Sequence, residues 1–478
     1  MRVSAPALQP LIAAWVPTQR WFAGKGRDCV ITARELVVVA FGPREFTIWL
    51  ADVVFDDGGT ETYQLPLVFR TEPEPTLEHV LLGQLRHEEK HYWIYDALHD
   101  HDVTPAYLIG FRAQATEGPL VFERFVDADA LRSDRPSLVL TGEQSNTSLI
   151  FGDHSILKVF RRLEPGINPD IEVQRALGAL GARHVAQLLG AVTATIDGGP
   201  VSLGMLAEFL NSGTDGWELG QTSVRDLMAE ADLHAEEAGG DFASEAYRLG
   251  EAVAQVHADL AVAFGTSVLP AVDRLARAQL MHTRLDRALA IVPELGAVES
   301  GLRAAFEEFG TAPVPLSTQR IHGDLHLGQA LRTVRRWVLL DFEGEPTVSI
   351  AQRREFDSPL RDVAGMLRSF DYAARYSLVE GGASAQLQYR AEEWAERNRD
   401  AFCAGYAAGS GHGLTENEAA IRGFEADKAV YEAVYEARNR PPWLMVPLLS
   451  LARLVKVADR GSATAGPVAQ PGAQADPM

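Results

Sequence analysis

The spacing of hydrophobic and polar positions changes along this chain, and each change marks a different kind of element. Between Leu36 and Phe69 the runs ELVVVAF, FTIWLADVVF and TYQLPLVF gather β-branched and aromatic residues, separated by Gly42-Pro43 and by Asp56-Asp57-Gly58-Gly59. Such runs broken by turn residues predict an antiparallel meander, and Asp57-Gly58 suits the positive φ of a tight hairpin. Over 77–98 the apolar positions fall at helical spacing among charges, which predicts a helix covering that meander.

A second set of strands follows: LVFERF, LVLTGEQSNTSLIFGD, HSILKVF, then AQLLGAVTATI and VSLGMLAEFL, with a helix over 170–181 between the third and fourth. After a link from Gly213 to Gly216 the pattern turns helical in SVRDLMAEADLHAEEA, FASEAYRLGEAVAQVHADLAVAF and AVDRLARAQLMHTRLDRALAIV, and again from Ala385 on. The predicted fold is α+β and bilobal. An N-terminal β-rich cap covers 1–110, a β-rich lobe 111–212 and a mostly helical lobe 213–460, with a cleft between the lobes. The Gly, Ser, Ala, Pro and Gln of 461–478 show no apolar period and predict a disordered tail.

Composition narrows the function classes. With 478 residues, 46% hydrophobic and 23% charged, the chain can build several cores. Its charge of −21 (44 Lys+Arg against 65 Asp+Glu) repels nucleic acid and anionic membranes, and no basic run offsets it. Cys29 and Cys403 are too few for a disulfide framework or a zinc cluster, so a reducing cytoplasm is expected. The apolar stretch Leu11–Val16 is too short for a signal-peptide core, and Trp443–Leu454 falls short of the ~20 residues a membrane span needs.

The sharpest chemistry lies in Ile321-His322-Gly323-Asp324-Leu325-His326-Leu327-Gly328-Gln329, followed by Asp341 at the end of the apolar run VLL. An Asp, an amide five positions on and a second Asp after a short hairpin are what phosphoryl transfer needs: a base for the acceptor hydroxyl and two oxygen ligands for Mg²⁺. The pattern resembles the protein-kinase catalytic loop, and more closely the His-Gly-Asp form of aminoglycoside phosphotransferases. The resemblance implies Asp324 as base, Gln329 and Asp341 as metal ligands, and a eukaryotic-protein-kinase-like fold. Gln329 stands where most of that superfamily has Asn. Asp341-Phe342-Glu343 replaces Asp-Phe-Gly, and Glu343 becomes a further candidate ligand.

Upstream, Lys158 in SILKV is placed to pair with ATP phosphates, with Glu172 on the following helix as the partner that would extend it. In the hairpin before it, Ser145, Asn146 and Thr147 offer hydroxyl, amide and backbone groups that could cover phosphates; an ordinary polar hairpin reads the same way. Asp362 resembles the Asp that braces the catalytic loop in phosphotransferases, and His257 is expected to be packed and hydrogen-bonded. His322 fits a brace of the loop, as does His326, which is also placed among the acceptor contacts.

A narrower resemblance runs through nearly the whole chain, in Gln19-Arg20-Trp21-Phe22-Ala23-Gly24-Lys25, Glu143 to Ser148, Lys158 to Arg162, Gly166 to Glu172 and Asp341 to Pro346. These segments look like bacterial maltokinases. The resemblance implies transfer of the ATP γ-phosphate to the anomeric hydroxyl of maltose, feeding α-glucan (glycogen) synthesis and linked to a trehalose-converting enzyme. The candidate sugar wall is Lys428, Tyr431, Glu432, Tyr435, Arg438, Asn439 and Trp443, several at helical three- and four-residue steps. An aromatic helix packed into a core would show the same steps. Two other readings stay open: a kinase for glucosamine or another aminosugar or aminoglycoside, and a catalytically degenerate kinase fold acting as a binding or regulatory module.

Overall fold

The computed structural model describes residues 4–87, 89–132, 136–140, 145–230, 232–345, 348–381 and 384–464. The chain forms two compact units, Met1–Gly213 with Leu340–Arg354, and Thr214–Leu339 with Glu355–Met478.

The first unit opens with α1 (Ala5–Trp15), whose Leu8, Ile12 and Trp15 are buried at steps of four and three. The meander follows as β1 (Cys29–Phe41), β2 (Arg44–Phe55) and β3 (Thr60–Arg70). Two more strands, β4 (Leu81–His87) and β5 (Lys90–Asp96), complete an antiparallel sheet in the order β1-β2-β3-β5-β4. The helix expected over 77–98 is therefore absent: a 3₁₀ turn at Pro75–Val80 leads directly into this hairpin. Tyr92, Trp93, Ile94 and Tyr95 are strong β-formers, and pairing of β5 with β3 overrides the accidental helical spacing. Helix α1 packs on this sheet instead, against β1 and β4.

After α2 (Pro105–Ala113) come β6 (Thr116–Glu117), β7 (Leu120–Arg124), β8 (Ser137–Val139), β9 (Thr147–Phe151), β10 (Ser155–Val159) and the short β11 (Arg162–Leu163). Helix α3 (Pro169–Leu180) is N-capped by Asn168, whose side chain accepts the Asp170 N–H, and is closed by Gly181 at φ +68°. With β12 (Leu188–Ile196) and β13 (Gly199–Glu208), the second sheet runs β6-β7-β12-β13-β10-β9-β8. One apolar cluster joins Val39, Phe46 and Leu50 of the first sheet to Leu149, Leu157 and Leu203 of the second. Buried polar contacts add to it: Gln64 of β3 donates to the Phe160 and Leu203 carbonyls, and Arg161 pairs with Asp96. Strand β11 pairs with β3.

The second unit contains β14 (Thr214–Asp215) and α4 (Gly216–Ala229), which Asp215 caps through the Trp217 and Glu218 N–H groups. This helix starts and ends earlier than the apolar spacing suggested. The unit continues through α5 (Ala243–Phe264), β15 (Thr266–Leu269), α6 (Ala271–Leu289), α7 (Glu299–Thr311), β16 (Leu316–Gln319), β17 (Ala330–Arg332) and β18 (Trp337–Leu339). Residues Leu340–Arg354, with α8 (Ile350–Arg353), belong to the first unit. Helices α9 (Pro359–Gly381), α10 (Ala385–Ser410), α11 (Glu418–Asn439) and α12 (Met445–Thr464) complete the second. Residues 461–464, expected to open a disordered tail, continue α12, and 465–478 lie outside the described residues. Among the described residues no helix is long and apolar enough to cross a membrane.

Helices α5 and α10 approach so closely that glycine is required: a Cβ at Gly405 would lie 1.9 Å from the Tyr247 carbonyl, and one at Gly250 2.2 Å from that of Phe402. Gly405→Ala is expected to destabilise the protein by about 1–3 kcal/mol. Gly178→Ala, in α3 with nothing within 4 Å of the added carbon, is expected to be neutral or to stabilise by about 0.5–1 kcal/mol. Urea unfolding of both variants checks the contrast.

Candidate phosphotransfer and acceptor sites

In the first unit the chemistry gathers around Lys158. Strand β10 presents its Nζ 2.6 Å from Asp341, 2.8 Å from Glu343 and 3.9 Å from Asp170. The carboxylate from α3 that faces Lys158 is therefore Asp170; Glu172, expected there, pairs with Arg354 at 2.6 Å. Two residues along a helix turn a side chain by roughly 200°, so the two acids of this first turn point to different partners. Asp170 also accepts the Phe342 N–H at 3.0 Å, tying the returning segment to α3. Its burial pushes its carboxyl above the ordinary value, although Lys158 pulls the other way.

Asp341 holds φ +64°, an uncommon conformation for a side-chain-bearing residue. Arg353 stabilises the same segment, pairing with Glu164 at 2.6 Å and donating to the Glu343 carbonyl. Asp170, Asp341 and Glu343 each offer an oxygen within 4.8 Å of the others, a donor set that suits a hard divalent cation. Ser145 and Asn146 line a small cavity that Glu343 also borders. Thr147 departs from its expected phosphate role, because its hydroxyl accepts from Arg161 Nε at 2.8 Å inside the core. Residues 141–144 of the same hairpin lie outside the described residues.

In the second unit the segment from Ile321 to Gln329 is held by one buried carboxylate. Asp362, near the start of α9, accepts the His322 N–H at 2.7 Å and the Gly323 N–H at 2.9 Å. It also bonds His257 Nε2 at 3.0 Å, while His257 Nδ1 meets the Tyr406 hydroxyl at 2.9 Å. Burial alone would raise the Asp362 carboxyl, but the His257 hydrogen bond, its charge and the Gly323 N–H together hold it below the ordinary value. Gly323 sits at φ +86°. Gly365 lets the loop lie on α9, since a Cβ there would meet the Leu325 carbonyl at 2.7 Å. This anchored loop presents a partly exposed Asp324 carboxylate 3.4 Å from Lys428 Nζ. Gln329 ends the 3₁₀ turn Leu327–Gln329, and His326 caps that turn by accepting the Gly328 N–H on Nδ1.

Beside His326 and Lys428 opens a cavity of about 360 Å³, within the range of small-ligand sites. Its aromatic wall is Trp217, Tyr372, Tyr376 and Trp443, with the Tyr376 and Trp443 rings 4.8 Å apart. Of the expected sugar contacts, His326, Lys428, Glu432 and Trp443 line it. Tyr431 and Arg438 fall on other faces of α11 and are exposed. Trp217, Arg368, Tyr372 and Tyr376 escaped the sequence reading because three of them come from α9 and one from α4, remote from the motif; Arg440, just past the end of α11, escaped it between Asn439 and Trp443.

Every charge on this cavity already has an opposite partner. Arg368 bonds Glu432 through Nε at 2.9 Å and Nη2 at 2.7 Å. Arg440 pairs with Glu436 at 2.6 Å, and Lys428 with Asp324. Burial raises the Glu432 carboxyl while the Arg368 and Lys428 charges oppose that shift.

An exposed Asp on a short anchored loop, a strand Lys among carboxylates and an aromatic-walled cavity among the helices are what a kinase-like phosphotransferase would present. Comparison with known proteins gives the same class. Residues 15–100 match the maltokinase N-terminal cap domain family. A glucosamine kinase of Streptacidiphilus jiangxiensis is 30% identical over 360 residues, covering 72% of this chain and 78% of that protein. One from Mycolicibacterium smegmatis (strain ATCC 700084 / mc(2)155) is 27% identical over 362 residues, covering 70% and 82%. A solved glucosamine kinase in complex with glucosamine, ADP and inorganic phosphate shares the fold, with a TM-score of 0.66 at 23% identity over 94% of this chain and 100% of that one.

The chain is thus a member of the kinase-like phosphotransferase superfamily, related to maltokinase. It belongs to the family of the glucosamine kinases it matches, and is an ATP-dependent sugar kinase.

Asp362→Ala would leave the His322 and Gly323 N–H groups and His257 without their shared acceptor. It is expected to destabilise the protein by about 3–5 kcal/mol at neutral pH. Because the folded carboxyl titrates below its unfolded value, its contribution is fully present above about pH 4 and is lost as pH falls through the lower folded value. The stability gap between wild type and variant should therefore be constant from pH 5 to 7 and close on further acidification, as measured by urea unfolding at each pH.

Proposed function

We propose that this kinase transfers the γ-phosphoryl group of ATP to the anomeric hydroxyl of maltose, giving maltose 1-phosphate. The observation that carries the proposal is the acceptor cavity, where aromatic faces suit a pyranose and no carboxylate lacks a cationic partner among the described lining residues. A neutral sugar fits such a lining, because its hydroxyls both donate and accept. An ammonium group donates only and would have to compete with Arg368 for Glu432. The maltokinase-type cap over residues 15–100 supports the same reading. The second reading, glucosamine as acceptor, is supported by the name of the relative that is 30% identical.

In the proposed reaction Asp324 accepts the proton of the attacking hydroxyl, and Lys428 beside it stabilises its negative charge. His326, with Nδ1 accepting from Gly328, directs an Nε2 donor toward the sugar. Lys158 binds ATP phosphates, and Ser145 and Asn146 help cover them. Asp341 and Glu343 would hold Mg²⁺, with Asp170 beside them, and the resemblance adds the amide oxygen of Gln329 as a ligand. The ion, when bound, neutralises charge on the phosphate oxygens. The proposed place in metabolism is supply of a phosphorylated sugar for α-glucan synthesis, beside an enzyme that converts trehalose to maltose.

Steady-state assays with maltose, glucosamine and trehalose test the reading. Maltose should give the highest kcat/KM, and trehalose, with both anomeric carbons locked in its glycosidic bond, should not react. A far higher kcat/KM for glucosamine would overturn the acceptor assignment. Asp324→Asn is expected to lower kcat by roughly 10²–10⁴ with ATP affinity retained, as titration calorimetry can show. Trp443→Ala should raise the maltose KM by the equivalent of about 1–3 kcal/mol and leave the ATP KM unchanged.

A further inference from the structure

Behind the acceptor cavity lies a cluster of buried charges that catalysis as proposed does not use. Asp371, on α9, has no exposed surface. Its carboxylate lies 2.7 Å from Arg368, 2.9 Å from Arg453, 3.4 Å from Arg375 and 3.6 Å from Arg399. Glu425 of α11 shares two of these cations, Arg399 at 2.7 Å and Arg453 at 3.2 Å. The cluster joins α9, α10, α11 and α12. Burial would raise the Asp371 carboxyl, but Arg453, Arg399, Arg368 and Arg375 pull it far below the ordinary range, so it is ionised.

Arg368 is the link between this cluster and the cavity. Its side chain is 1% exposed, and its two ends serve two acids: Nη1 goes to Asp371, Nε and Nη2 to Glu432. Glu432 is the one carboxylate among the described residues that line the cavity. Helix α9 is also a shared wall. Arg368, Tyr372 and Tyr376 line the acceptor cavity, whereas Arg375, Leu378 and Val379 line a separate cavity of about 690 Å³. An Arg368 side chain released from Asp371 loses the contact that fixes its rotamer. Four guanidinium groups, Arg368, Arg375, Arg399 and Arg453, would then be left with Glu425 and Glu432, and with Glu392 acting on Arg375. Like charges in a low-dielectric interior repel strongly, so that imbalance acts on Arg368 directly.

We propose that Asp371 is the positioning residue of the acceptor site: it fixes Arg368, and through Arg368 the orientation of Glu432 toward the bound sugar. The proposal rests on the acceptor cavity assigned above and deepens it, since it names what sets the geometry of that cavity from outside. Asp371 itself touches neither sugar nor nucleotide.

The test uses the full chain and whichever of maltose and glucosamine the wild type phosphorylates better, so a wrong acceptor assignment does not decide it. Asp371→Asn should raise the acceptor KM at least tenfold and leave the ATP KM within twofold, and Asp371→Glu should recover part of the loss. Phe309→Leu, a core change in α7 of the same unit, serves as the destabilised control and should leave the acceptor KM unchanged. A folded Asp371→Asn enzyme with an unchanged acceptor KM, or with the ATP KM raised in parallel, overturns the proposal. If Asp371→Asn does not fold, Arg453→Gln removes one of the cations that hold Asp371. It should raise the acceptor KM two- to fivefold with no change for ATP, and an unchanged acceptor KM there overturns the proposal equally.

Discussion

A carboxylate taken out of water is stable only where donors surround it, and this chain uses that constraint to fix the loop that carries Asp324. Asp362 is buried, yet it meets two backbone N–H groups of the loop and the His257 ring. Those contacts determine the path of Ile321 to Asp324. The same carboxylate gives α9 its place against the loop, and Gly365, one turn on, allows the close approach. The Asp324 side chain is left partly exposed at the end of that anchored segment. A general base needs that combination of fixed backbone and open side chain, since geometry sets reach while exposure admits the substrate.

The same logic explains how the cap contributes to the first unit. The cap does not sit on the second sheet as a separate module, because both bury residues in one apolar cluster. Polar contacts then fix register: Gln64 holds carbonyls next to β10 and β13, and Arg161, adjacent in sequence to Phe160, reaches Asp96 of the cap. Lys158 lies on β10, two residues before Phe160. Any slip of that strand would therefore break cap contacts as well as the Lys158 pairs with Asp341 and Glu343.

The kinase-like fold and the family were legible because they rest on local signals: a β-meander, Asp and Gln at fixed spacing, and glycines where turns need them. What escaped the sequence depends on which way a side chain points. Asp170 and Glu172 share a helical turn, and only the packing of α3 against the returning segment decides that Asp170 faces Lys158. Thr147 opens strand β9 and turns its hydroxyl inward to Arg161, whereas Asn146, in the bend just before the strand, borders the cavity beside Glu343. The stretch 77–98 mixes apolar and charged residues in a pattern that fits both periods, and partner strand β3 resolves it. On α11, Lys428 and Glu432 are four residues apart and face the cavity together, whereas Tyr431 and Arg438 follow a different face.

The cavity proposed for the acceptor combines aromatic faces with charges that are already engaged, and the proposed selectivity rests on that combination. Arg368 spends both ends of its guanidinium on Asp371 and Glu432. Arg440 is bound to Glu436 and lies over the Trp443 ring at 5.2 Å. Such groups can still donate or accept a further hydrogen bond, but the buried Arg368 cannot lose an ionic partner without leaving a charge unpaired in a desolvated wall. A ligand that enters must therefore add hydrogen bonds and cover rings without displacing an ion pair. Under the acceptor assignment proposed above, neutral polyols meet that condition, because each hydroxyl adapts to a donor or an acceptor and the C–H face of a sugar ring would pack on Tyr376 and Trp443, whose rings lie 4.8 Å apart. On the proposed reading, discrimination against a charged acceptor would come from satisfied pairs, with no group placed to repel it.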